Sequence, residues 1–113
     1  MKKFLVLFTA PAEVRAKMQS ATPEEMQNSM KPWMDWFQEM GDTIVDRGMP
    51  TTHTMALTKE GNEPGNVDIV AYDIIQAENI DDALEKMKSC PHLERPGARI
   101  DIHEMWDMNG MLK

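Results

Sequence analysis

The sequence predicts an α+β domain in which a four-stranded antiparallel sheet carries two helices on one face. Three observations predict it. Residues 3–9 and 67–77 are runs with apolar side chains on both strand faces, as in central strands covered on both sides. Each run is followed by an amphipathic stretch that opens on a helix cap, Thr22 in one case and Asn79 in the other. At 113 residues the chain has room for one hydrophobic core and not for two.

The first strand puts Phe4, Val6 and Phe8 on one face and Leu5 and Leu7 on the other, and Pro11 ends it. Residues 12–18 suit a short helical turn. Thr22-Pro23-Glu24-Glu25 then combines a capping threonine, a proline at the first helical position and a glutamate three residues after the cap, the pattern of a capping box. Met26, Met30, Trp33, Met34, Phe37 and Met40 follow at spacings of three and four, an apolar stripe that Gly41 stops. Ordinary core is the expectation for Met26, Met30, Met34 and Met40; the alternative is an adaptable cavity lined by methionines with Trp33, Trp36 and Phe37. Pro32 lies inside this pattern. There it removes a hydrogen bond and clashes with the preceding turn at a cost of about 3 kcal/mol, so a bend or break near residues 28–32 is expected.

Residues 43–46 read as a short strand ended by Arg47-Gly48-Met49-Pro50, and residues 53–58 as another. Residues 59–66, rich in glycine, proline and asparagine, read as an exposed loop. In the strand at 67–77, Val67, Ile69, Ala71 and Ile75 are assigned to one face and Val70, Tyr72 and Ile74 to the other, with Asp73 interrupting the apolar pattern. Asn79 caps the second helix, Asp81 and Asp82 complement its positive end, Ala83, Leu84, Met87 and Cys90 form its buried stripe, and Pro91 prevents continuation. Residues 98–106 alternate, Ile100 and Ile102 against Arg99, Asp101 and His103. The order strand, helix, strand, strand, helix, strand is that of a ferredoxin-like split βαβ fold over residues 1–106, with 107–113 as a loosely ordered tail. Two helices cover only one face of such a sheet. The apolar second face therefore predicts a homodimer joined by sheet faces, with a pocket between them.

Nineteen acidic residues against twelve basic ones give a net charge of -7, which repels nucleic acid and anionic lipid. Cys90 is the only cysteine, and no cysteine or histidine cluster has zinc spacing, so a reducing, cytoplasmic setting without a structural metal is expected. Lys2-Lys3 followed by an apolar run looks like the start of a secretion signal, but the run is too short, and no stretch approaches a membrane span. Phosphate loop, nucleophile elbow and helical HExxH motifs are absent, and no cofactor is expected.

The segment 71–84, Ser89-Cys90-Pro91-His92-Leu93 and Ile100-Asp101-Ile102-His103-Glu104-Met105 together resemble the C-terminal half of the YCII-related (DGPF-type) family. Trp33, Trp36, Gly41 and the Val45-to-Pro50 turn are similar to the family pattern more loosely. The resemblance implies a ferredoxin-like fold that pairs into a dimeric α/β barrel, and no settled activity. It also implies, for some members, a first-helix histidine acting with an aspartate; residues 28–33 here contain no histidine.

Candidate chemistry rests on few residues. Asp73, a carboxylate within an apolar strand, is the foremost candidate acid or base; the alternative is solvation or pairing with Arg47 or Arg99. His92, just past a helix end, is a candidate acid or base, or else a residue anchoring the turn. His103 shares a strand face with Asp101, and with His53 it is a candidate for a pocket on the exposed sheet face, or else simply solvated. His53, Arg47 and Trp33 are candidate ligand contacts, and Cys90 is read as an inert core thiol. The expected function is cofactor-independent handling of a small apolar or weakly polar organic ligand, by catalysis or binding. A non-catalytic interaction or regulatory module on a dimeric scaffold is the alternative.

Overall fold

The computed structural model describes residues 1–108. Strand β1 (Lys2–Thr9) leads through helix α1 (Ala12–Gln19) to helix α2 (Pro23–Met40) and strand β2 (Ile44–Asp46). A hairpin of β3 (Met55–Thr58) and β4 (Gly61–Pro64) precedes the long strand β5 (Ile69–Ala77), helix α3 (Ile80–Met87) and strand β6 (Arg99–Glu104). The main sheet has the order β2-β5-β1-β6 with every neighbouring pair antiparallel, the arrangement of a split βαβ fold. Of the tail expected at 107–113, Asp107 and Met108 form no regular structure, and residues 109–113 lie outside the described residues.

Alternation along β1 decides the two faces. Phe4, Val6 and Phe8 are buried and meet Trp36 of α2, Ala83 and Met87 of α3, and Cys90, with Val14, Met18, Trp33, Phe37, Ile100 and Ile102 packed around them. Leu5 and Leu7 point the other way, beside Ile74 and Tyr72 of β5, and no helix covers them. A bulge at β1–β5 leaves Val70 as the extra residue, because Phe8 pairs with Ala71 and Thr9 with Ile69. It shifts Ile69 onto the face of Leu7 and Tyr72, whereas regular alternation had assigned it to the face of Ala71 and Ile75.

Helix α2 starts as expected. Thr22 Oγ1 accepts from the Glu25 amide at 3.2 Å and the Glu25 carboxylate accepts from the Thr22 amide at 3.2 Å, closing the capping box. The helix then runs through Pro32 as one element, and the expected break does not occur. Proline at 32 deprives the Asn28 carbonyl of its partner; both residues are exposed, so water can take its place.

The methionine stripe departs further from expectation. Trp36 is the buried anchor, with Trp33, Phe37 and Met40 partly buried, whereas Met26, Met30 and Met34 are 54, 47 and 44% exposed. Eighteen helical residues span about 27 Å, and every residue from Thr22 to Pro32 is exposed: the first half of α2 overhangs the sheet and finds no core beneath it. Leu84 of α3 likewise faces outward.

Residues 59–66, read as a loop, contain β4. It pairs with β3 from Met55–Pro64 to Thr58–Gly61 around a Lys59-Glu60 turn, in which Thr58 Oγ1 accepts from the Glu60 amide and donates to the Gly61 carbonyl. The hairpin is a separate two-stranded sheet with Met55 70% and Leu57 82% exposed. Its root is held by Arg15, a buried side chain of α1, which donates to the carbonyls of Val67 at 2.6 Å and Ile69 at 2.7 Å on one leg and of Thr51 and Thr52 on the other. Among the described residues no helix is long and apolar enough to cross a membrane.

Candidate functional site

Asp73 is placed by strand register. It lies opposite Val6, between the pairs Phe4–Ile75 and Phe8–Ala71, so its side chain shares the helix-covered face with the core. It is 1% exposed, and Oδ1 is buried without a hydrogen-bond partner. Loss of water pushes its carboxyl up from 3.8 to about 7, and the negative charge of Asp46 adds to the shift. Neither arginine considered for it is engaged there: Arg99 pairs with Asp101 at 2.8 Å, and the Arg47 guanidinium stacks 4.6 Å from the Phe37 ring centre.

Above this floor the aromatic residues form a continuous chain. Phe8 meets Trp33 edge-on at 5.8 Å, Trp33 meets Trp36 at 5.8 Å and Phe37 at 5.9 Å, and Arg47 closes the far end. The spacing of Trp33, Trp36 and Phe37 along α2 turns all three toward the sheet, and Trp36 Nε1 donates to Ser89 Oγ at 3.1 Å, tying α2 to the end of α3. Trp33 and Arg47, two candidate ligand contacts, thus converge on Phe37 within one layer.

His92 sits at the near end of the same chain, 5.3 Å from the Phe8 ring. The carbonyl of Thr9, 2.8 Å from Nε2, can only accept, so Nε2 carries the proton and Nδ1 accepts from Arg95 at 3.3 Å. Burial lowers its pKa, and the Arg95 charge lowers it further against the raising effect of the Thr9 bond. Both nitrogens are engaged internally. His92 is the turn anchor of the short 3₁₀ segment Pro91–Glu94 that returns the chain to β6. Cys90 beside it is buried, and burial pushes its thiol up to about 12, with the Asp73 charge contributing, which leaves it without thiolate character at neutral pH.

The other candidates lie elsewhere. His103 pairs in register with Leu5 and stands exposed on the open face of the sheet, the opposite side from Asp73. His53 is exposed on the connection leading to the hairpin. The register puts His103 and Asp101 together on the open face, as expected, while His53 lies in no strand of that sheet; Asp73, Trp33, Arg47 and His92 belong to the helix side. Two shallow depressions of about 190 and 200 Å³ lie at the Thr9 end of the sheet, with Asp68 and Arg99 in both, and neither reaches Asp73. Among the described residues no three histidine, cysteine or carboxylate side chains are grouped to hold a metal.

Two structural roles were not legible in the sequence pattern, that of Trp36 as the buried anchor of α2 and that of Arg15 as a clamp on distant carbonyls. Trp36 falls off the stripe counted from Met26, and the carbonyl partners of Arg15 are 36 to 54 residues away in the chain. Compared with protein-family models and with curated proteins, the chain matches none.

Proposed function

We propose that the protein handles a small apolar or weakly polar organic ligand without a cofactor, with Asp73 as the group that takes up and returns a proton. The observation that carries this is the unpartnered Oδ1 of Asp73 in an otherwise apolar floor. A carboxylate retained for structure alone would be given donors, since a buried polar atom without a partner costs about 1–3 kcal/mol. Left unpaired, it keeps an acceptor free for a ligand, and its raised pKa keeps both protonation states within reach at neutral pH. The ligand site lies between the sheet and α2, with Trp33 and Phe37 as its apolar wall and Arg47 at its edge. Asp73 is closed off, so a ligand reaches it only when the side chains over it move aside.

The same reading places the chain with the YCII-related (DGPF-type) proteins, in a reducing, cytoplasmic setting, as a homodimer whose open sheet faces pack into an α/β barrel. The Cys90-Pro91-His92-Leu93 turn, the strand order and the uncovered Leu5, Leu7, Tyr72 and Ile74 support it. A second reading, a non-catalytic interaction module, draws on the exposed apolar residues of α2 and the hairpin.

Carbon-detected NMR of aspartate-labelled protein, with Asp73→Asn to assign the resonance, separates the two readings. We expect the Asp73 carboxyl to titrate with a midpoint near 7. A midpoint in the ordinary carboxylate range, near 4, would remove the proton-transfer role and leave the interaction module.

A further inference from the structure

We infer that the β3–β4 hairpin is an arm that docks against a second copy of this chain, its Met55 and Leu57 seating beneath the overhanging first half of that copy's α2. The inference rests on the homodimer proposed above and specifies a contact that sheet packing alone does not supply.

The surface area points to a second copy. A folded chain of 12.9 kDa exposes about 6,300 Å² by the usual scaling of area with mass, whereas this one exposes 8311 Å². The excess, about 2,000 Å², is more than twice the roughly 800 Å² that each partner of a standard interface buries. The radius of gyration tells the same story, at 15.9 Å against about 13 Å for a compact chain of this length. A molecule shaped this way has parts that its own core does not use.

Two of those parts, besides the open sheet face, are apolar on one side. On the arm, Met55 and Leu57 alternate with Ala56 and Thr58 and so share one face of β3, at 70 and 82% exposure. On α2, a rotation of about 100° per residue puts Met26 within about 20° and Met30 within about 60° of the direction of Trp33, which faces the core. Both are therefore on the underside of the helix, the side that continues the core stripe, yet they are half exposed because the sheet stops short of them. Methionine side chains adapt to the shape offered to them, and a two-stranded ribbon is a suitable filler for the space beside a helix. Met55 and Leu57 supply the apolar face that the underside of α2 lacks. In a two-fold dimer the exchange is reciprocal, each copy giving an arm and receiving one, so a single chain carries both halves of the contact.

The test uses the full chain. Leu57 is too exposed to affect the isolated fold, so Leu57→Glu should raise the dimer dissociation constant at least tenfold, read by light scattering across a concentration series. A double variant, Met30→Cys with Leu57→Cys, treated with a short bis-maleimide, should give a covalent dimer on a denaturing gel; Leu5→Cys with Leu57→Cys, which probes docking of the arm on the open sheet face, should not. If the wild-type chain is a monomer at all micromolar concentrations, both this contact and the homodimer fail. If it is a dimer whose dissociation constant is unchanged within twofold by Leu57→Glu, or whose cross-link forms from Leu5 and not from Met30, the arm contact alone is overturned.

Discussion

Three polar groups are buried on the helix side of the sheet, and they differ in how they are satisfied. His92 uses both ring nitrogens and Trp36 donates to Ser89, whereas Asp73 keeps one oxygen without a donor. The consequence for stability has a definite sign. Because the folded state holds the Asp73 proton up to about pH 7 and the unfolded chain releases it near 4, stability falls as pH rises from about 4 to 7 and the loss is complete above that. In Asp73→Asn this slope should vanish. The variant should gain on the wild type progressively across that window, by up to about 4 kcal/mol at pH 8, in urea titrations run at successive pH values. An equal offset at pH 4 and pH 8 would mean that folding does not shift the carboxyl's pKa. Asp73 was legible in the sequence as a charge inside a strand apolar on both sides. Alternation groups it with Ala71 and Ile75, as the register has it, but which of two apolar faces the helices cover is not written in the strand itself. Arg15 was illegible: its partners are distant backbone carbonyls, which leave no mark in residue type.

At the scale of elements, chemistry that is local was readable and chemistry that depends on a neighbour was not. The capping box at Thr22, the Asn79 cap and the alternation of β1 involve residues within a few positions of one another, and each forms as expected. Whether Met26 is core depends on how far the sheet extends below α2, which no periodicity records. Strand β4 was missed because Gly61-Asn62-Glu63-Pro64 lacks strand-forming side chains and is held by pairing with β3 alone. Pro32 sits on an exposed stretch of the helix, where water can reach the carbonyl it orphans. Its removal should therefore be stabilising: Pro32→Ala should raise the unfolding free energy by about 1–3 kcal/mol with an unchanged dependence on urea concentration. A loss of stability would show that the proline has a packing role in the native structure.

For the whole molecule, the fold class and strand order follow from the succession of elements, while the outline does not. An outward hairpin and an overhanging helix leave far more surface than a compact chain of this mass would have. The open sheet face adds Leu5, Leu7, Tyr72 and Ile74 as a central apolar group with Lys3, His103 and Asp101 around it. If this face is the main dimer contact, Leu5→Glu should halve the mass seen by light scattering at micromolar concentration while leaving the far-ultraviolet circular dichroism unchanged. A variant that keeps the wild-type mass would place the contact elsewhere.

The Arg15 clamp bears on this in a different way. One guanidinium binds carbonyls on both legs of the hairpin, Thr51 and Thr52 before it and Val67 and Ile69 after it. The direction in which the hairpin leaves the body is thereby set when α1 folds, before any partner is met. A flexible loop would lose conformational entropy on association, of order 1–2 kcal/mol for each residue ordered. Here the hinge residues have already lost theirs in folding, so on the docking inferred above the arm is aimed before a second copy arrives.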